Sequence, residues 1–223
     1  MNTGTIFLGG GGDTATSFKF DEYFFSCLSS HAKILYIPVA MRRGVVGYES
    51  CFDWFSGVIG QYSTTKNIDF EMILENDEIK SLNKFEAIYI GGGNTYYLLK
   101  YLNHQNRGQS IIEYLQNGGM LYGGSAGAIV LGKDIRTVEM ENDAGSTSSA
   151  GLNLLGGKSV LCHYHEGLKI NASAMARVLQ SPILALPEDS GVVLRGGKLE
   201  RVFGQALLFN EQEVKVVDVD SLE

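Results

Sequence analysis

The stretch Gly123-Gly124-Ser125-Ala126-Gly127 combines residue types able to do chemistry at a spacing that would let them. It fits the G-x-S-x-G pattern, in which a strand bends sharply into a helix and holds a serine in a strained, accessible conformation. The bend is crowded, so its neighbours must be small. The serine oxygen then projects from the carboxyl edge of a sheet, and the next N–H, that of Ala126, can donate to an oxyanion. Residues 120–122 are apolar and read as the strand before the bend, and residues 129–131 read as the start of the helix after it. Three fixed positions in five recur by chance, and the plain alternative is a glycine-rich turn with a solvated serine. The strand–turn–helix setting favours a nucleophile.

A second glycine run, Gly91-Gly92-Gly93-Asn94-Thr95, follows the apolar residues 87–90. Successive glycines let backbone N–H groups approach a ligand closely, so this loop is a candidate source of a second oxyanion donor. It lacks the G-x-x-x-x-G-K-[ST] pattern of a phosphate cradle. The run at residues 9–12 fails the dinucleotide spacing because position 14 is Thr14, and it reads as a tight strand–helix turn. Four histidines are available as a base: His31, His104, His163 and His165. His31 and His104 lie in polar surroundings and read as surface residues. His163 and His165 follow the apolar Val160-Leu161, and on an extended segment positions i and i+2 share a face. Either could deprotonate a serine. As a pair they could hold a metal, but no further ligand cluster of the usual spacing accompanies them. Cys162 reads as a packed thiol. The acid that would orient the imidazole has five candidates, Glu139, Glu141, Asp143, Glu188 and Asp189, and spacing does not choose among them.

The elements that must hold these residues read as α/β. Residues 5–8, 34–39, 87–90 and 120–122 are short apolar runs, nearly continuous, as expected for parallel strands covered on both faces. Helical patterns at residues 19–28, 96–102 and 111–115 alternate with them. Aromatics at residues 48–55 suggest another helix, although glycines at 44, 47, 57 and 60 weaken it. Residues 136–157 are polar and small and read as a surface loop. Near the C-terminus, residues 192–194 and 199–203 flank the turn Arg195-Gly196-Gly197-Lys198 as a hairpin, and residues 214–219 read as a last edge strand. The expected architecture is a mostly parallel central sheet with helices on both faces and a β-hairpin near the C-terminus, in one domain over residues 1–223.

Composition narrows the function classes. The chain has 223 residues, with 18 Lys+Arg against 25 Asp+Glu, a net charge of −7. That sign argues against a general nucleic-acid or anionic-membrane binder. No apolar run approaches the roughly 18 residues of a membrane span. The first residues, Met1-Asn2-Thr3-Gly4-Thr5, lack the basic segment of a signal peptide. Three widely separated cysteines, Cys27, Cys51 and Cys162, fit reduced thiols in a cytoplasmic protein.

The combination Tyr89-Ile90-Gly91-Gly92-Gly93-Asn94-Thr95, then Gly123-Gly124-Ser125-Ala126-Gly127-Ala128, then a histidine 38 residues after Ser125, resembles the peptidase E (aspartyl dipeptidase) and cyanophycinase family. The resemblance spans nearly the whole chain. It implies a fold like that of class I glutamine amidotransferase domains, with serine in place of cysteine. It implies Ser125 as nucleophile, His163 as base, and Gly92 and Ala126 as oxyanion donors, with Gly93 and Asn94 beside them at the substrate. Glu188 falls where relatives carry a Pro-Glu-Gly or Asp-Glu-Gly turn and is the expected third member, with Asp143 its rival. The resemblance also implies hydrolysis of small peptides without a metal or organic cofactor, and homodimerisation. Family members that cleave after an N-terminal aspartate hold its side chain with an arginine. The candidates for that role here are Arg177, Arg42, Arg43 and Arg136. Two other readings belong beside this one: isopeptide hydrolysis on an acidic polymer, as in cyanophycinases, and a non-catalytic binding domain that kept the fold.

Overall fold

Along the central strands, side chains alternate between two faces, and the alternation sorts them by type. In β1 (Thr5–Gly9), Ile6 and Leu8 join an aliphatic cluster while Phe7 joins an aromatic one. β2 (Lys33–Ile37) splits likewise into Leu35 and Ile37 against Ile34 and Tyr36. Tyr89 of β4 (Ala87–Ile90) and Tyr122 of β5 (Met120–Gly124) extend the aromatic face. Each strand is therefore apolar throughout, because both of its faces are covered. The computed structural model describes residues 4–42, 47–63, 66–79, 81–138, 140–211 and 213–218.

These strands, with β3 (Asp69–Met72), β8 (Gly191–Arg195) and β9 (Lys198–Phe203), form a seven-stranded sheet in the order β3-β2-β4-β5-β1-β8-β9. The five strands from β3 to β1 are parallel, and β8 and β9 run antiparallel as the expected hairpin. Helices α1 (Phe18–Cys27) and α2 (Gly47–Tyr62) contribute to the aromatic cluster. Helices α3 (Thr95–Asn103), α4 (Arg107–Gln116) and α5 (Ala126–Leu131) contribute to the aliphatic one. The fold is thus α/β, with a large, mostly parallel sheet flanked by helices.

The sequence reading missed a second sheet of four strands, in the order β11-β10-β7-β6. Its members are β6 (Ser159–Leu161), β7 (Ile183–Ala185), β10 (Leu207–Phe209) and β11 (Val214–Val216). Each spans three residues, too few to show a period. Helix α6 (Lys169–Val178) packs on this sheet through Ala172 and Ala176. The last strand was expected over residues 214–219. It ends at Val216, and position 219 lies outside the described residues.

Phe24 of α1 is fully buried and meets Phe7, Phe25, Tyr89 and Tyr122 at ring-centroid separations of 5.0–6.1 Å. Phe24→Ala should cost about 3–5 kcal/mol of unfolding free energy. Urea denaturation followed by circular dichroism measures it. A loss under about 1 kcal/mol would mean that this aromatic face does not hold α1 to the sheet.

Candidate active site

Three adjacent parallel strands, β4, β5 and β1, end at one edge of the main sheet, and each ends in a glycine-rich loop. Such an edge is where open α/β sheets build their sites. Ser125 follows β5 directly. Its φ of 50° and ψ of −113° lie where non-glycine residues rarely go. The surroundings enforce that conformation. Ser125 N–H donates to Gly9 O at 3.2 Å, and Ser125 O accepts from Ala128 and Ile129 N–H at 2.9 and 3.0 Å. Small residues are required, since a Cβ on Gly127 would stand 2.2 Å from the Ile90 carbonyl oxygen.

The other polar groups arrive from the second sheet. β6 and β7 are parallel neighbours, so their chain continuations leave from the same edge. His163 comes two residues after β6, and Glu188 three residues after β7. Backbone hydrogen bonds fix both segments: Leu186 N–H to Leu161 O, 2.8 Å; Tyr164 N–H to Leu186 O, 3.1 Å; His163 N–H to Gly10 O, 2.9 Å; and Gly10 N–H to Ser190 O, 2.9 Å. The expected extended face shared by His163 and His165 does not form. The strand stops at Leu161, and His163 has a φ of 54°. That turn sends His163 to the serine and leaves the exposed His165 ring beside Gly167.

His163 Nε2 lies 2.8 Å from Ser125 Oγ, and His163 Nδ1 lies 2.8 Å from Glu188 Oε1. An ionised carboxylate only accepts, so Nδ1 carries the proton and Nε2 is left to accept from the serine hydroxyl. This is the arrangement in which an imidazole can take the hydroxyl proton while a carboxylate steadies the resulting charge. The imidazole and carboxylate remain open to solvent, at 48% and 57% side-chain exposure.

Asp143 is elsewhere: its Oδ1 accepts from Asn94 Nδ2 at 3.2 Å. Glu141 and Asp189 are exposed, and no described hydrogen bond joins either to His163. Glu139 and Arg43 lie outside the described residues. Asn94, expected beside a substrate, is the N-cap of α3, its Oδ1 accepting from Tyr96 and Tyr97 N–H at 2.9 and 3.2 Å. Gly92 abuts the serine, since a Cβ there would lie 3.7 Å from Ser125 Oγ, whereas Gly93 is pressed against the Ala40 carbonyl. Among the described residues, nothing accepts from the N–H of Gly92 or of Ala126.

The loop after β1, read from sequence as a plain turn, is part of the site. Gly11 has a φ of 102°, and a Cβ there would stand 2.5 Å from His163 Cε1. Only a residue without a side chain lets the imidazole lie where it does. A run of four glycines where a turn needs fewer was the available signal. Cys162, beside His163, is sealed under the site, with its thiol 3.6 Å from the Gly9 and Ser125 carbonyl oxygens. Burial pushes this thiol up to about 12.

Two cavities meet at Ser125. One, of about 350 Å³, runs under the loops toward the aromatic face and is lined by Tyr36, Trp54, Tyr89, Tyr122 and the buried Asp21. The other, of about 540 Å³, is mainly aliphatic, with Met41, Ile129, Val138, Leu161 and Met175 in its wall. Thr95 also lines it, and its buried Oγ1 has no partner among the described residues. Neither cavity has a lysine or arginine among its described lining residues. Arg177 is exposed on α6, Arg136 pairs with Asp134 at 2.7 Å, and Arg42 lies over the Tyr97 ring.

The model of peptidase family S51 matches residues 5–202. A protein named peptidase E from Pasteurella multocida (strain Pm70) is 32% identical over 142 residues, 58% of this chain and 60% of that protein. An uncharacterized peptidase of the same organism is 41% identical over 58 residues, 26% of this chain and 28% of that protein. The chain thus matches less than two thirds of the length of either relative. The crystal structure of a peptidase from an acI-B1 actinobacterium superposes with a TM-score of 0.72, covering 98% of this chain and 96% of that one. At 20% identity, that likeness is one of fold.

Two outcomes are expected from these contacts. Gly11→Ala should displace the imidazole and slow labelling of Ser125 by a fluorophosphonate on the order of 10²-fold, read by mass spectrometry. Labelling at the original rate would show that the loop does not position His163. A thiol titrating near 12 is ionised to only about one part in 10⁴ at pH 8. Iodoacetamide at that pH should therefore modify the half-buried Cys27 well before Cys162. Equal rates in peptide mass maps would contradict the sealing of Cys162.

Proposed function

Since the chain belongs to peptidase family S51, we propose that it is a serine peptidase acting on short peptides through Ser125, His163 and Glu188. The observation that carries this reading is one imidazole joined to the serine oxygen on one side and to a carboxylate on the other, each at 2.8 Å. Ser125 Oγ attacks the scissile carbonyl carbon while His163 Nε2 takes its proton. Glu188 stabilises the imidazolium and keeps Nδ1 protonated. The oxyanion accepts from the N–H groups of Ala126 and Gly92, and a donor of this kind is typically worth about 10²–10³ in rate. His163 then delivers its proton to the leaving amine, and water, activated by the same nitrogen, hydrolyses the acyl-enzyme. The two cavities flanking Ser125 give a substrate a place on either side of the scissile bond. This reading carries no preference for an aspartate side chain, because no described lysine or arginine lines either cavity.

Turnover of a dipeptide panel by the protein and its variants tests this. Ser125→Ala should lower kcat by about 10⁴-fold or more. Glu188→Gln should lower it by about 10²–10⁴-fold with little change in KM, because the imidazole loses its fixed tautomer. A Ser125→Ala protein as active as the original would remove the serine from the reaction.

A further inference from the structure

Asp21 is a carboxylate with 4% of its surface exposed, placed in the wall of the smaller cavity. Its oxygens accept from Ser17 Oγ at 2.6 Å and from the Tyr122 hydroxyl at 2.5 Å. Burial, the larger effect, pushes this carboxyl above the ordinary aspartate value, and the two hydrogen bonds pull the other way, toward the ionised form. A carboxylate offers about four acceptor positions, so these two donors leave capacity for a third. Among the described residues, no lysine, arginine or histidine forms an ion pair or hydrogen bond with it. A buried negative charge without a cation is costly unless something supplies one. The remaining wall suits a cation too: Tyr36, Trp54 and Tyr89 offer aromatic rings, and a cation within about 6 Å of a ring face is attracted to it.

The cavity also has the right relation to the nucleophile. A Cβ on Gly9 would lie 3.2 Å from the Tyr122 hydroxyl that holds Asp21. Gly9 pairs with Gly124, the residue before Ser125. Asp21 and Ser125 line one and the same space of about 350 Å³.

We propose that this cavity receives a cationic side chain of the substrate, lysine or arginine, with Asp21 as the residue that selects it. The inference rests on the serine-peptidase reading above and adds the substrate class. A lysine-like chain would pass its methylenes along the aromatic rings and place its ammonium on Asp21. An acidic side chain would meet an uncompensated carboxylate and be excluded.

The test uses the unsubstituted protein and dipeptidyl phosphonates that label a reactive serine, carrying lysine, norleucine or aspartate at the position that would precede the scissile bond. Lysine and norleucine are nearly isosteric, so their ratio isolates the charge. Ser125 should be labelled at least tenfold faster by the lysine compound than by the norleucine one, and slowest by the aspartate one. In Asp21→Asn the lysine-to-norleucine ratio should fall toward one; the series on the unsubstituted protein decides the matter even if that variant folds poorly. Equal or faster labelling by norleucine, or a preference for aspartate, would overturn the assignment. A simple fluorophosphonate separates the two levels of the argument. If it labels Ser125 while the lysine compound shows no advantage, only the cation site fails. If it labels nothing, the serine-peptidase reading fails and takes the cation site with it.

Discussion

The close passage of the loop after β1 beneath the His163 ring governs the site. Gly10 accepts from the His163 N–H and donates to the Ser190 carbonyl, so one residue ties the histidine segment to the turn that carries Glu188. Gly11 then clears the space that the imidazole occupies. Gly9 accepts from the Ser125 N–H. Three successive glycines thus touch the three segments that bear Ser125, His163 and Glu188. Side chains there would force those segments apart, and a displacement of about 1 Å in such a constellation is enough to cost orders of magnitude in rate.

That loop can serve all three because of strand order. β1 lies between β5 and β8 in the main sheet, although these are far apart in the chain. β5 delivers Ser125 on one side of it, and the chain between β7 and β8 delivers Glu188 on the other. His163 comes from a different sheet, whose parallel pair β6 and β7 leads toward the same loop. The strain in the Ser125 backbone, of order 1–3 kcal/mol for such conformations, is borne by hydrogen bonds that the sheet and α5 would form in any case. The His163 and Glu188 side chains are open to solvent. Their geometry comes from backbone ties rather than from burial.

The same bend divides the space around the serine into two chemically different halves. The aliphatic cavity draws on α5, β6 and α6, and the aromatic one draws on α1, α2 and the tyrosines of β2, β4 and β5. This follows from the sorting of side chains across the sheet. The aromatic face packs tilted and stacked rings, among them Tyr89 on Tyr122 at 4.2 Å, and leaves hydroxyls that need acceptors. Asp21 is one such acceptor. Its burial pushes its carboxyl above the ordinary aspartate value, against the opposing pull of the Ser17 and Tyr122 hydroxyls.

Local signals in the chain determined much of this. Apolar runs ending in glycine marked β1, β4 and β5, because a strand covered on both faces must be apolar and a chain turning at a crowded edge must be small. Ala87–Ile90 has the expected limits, and β1 and β5 run one and two residues further, to Gly9 and Gly124, because glycine can still pair in a ladder. The serine bend was legible for the same reason: its requirements are steric and lie within five residues. What spacing could not choose was the acid. Glu188 and Asp143 are both carboxylates in polar, turn-like stretches, and only the pairing of β6 with β7 brings one of them to His163 while Asn94 occupies the other. The second sheet, with strands of three residues, carries no period to read. That Asn94 caps α3 was not read from the sequence; the first N–H groups of that helix need an acceptor, and Asn94 supplies it. Asp21 gave no sign at all within its aromatic helix. A carboxylate becomes a site only when distant side chains close around it, and that closure belongs to the folded chain alone.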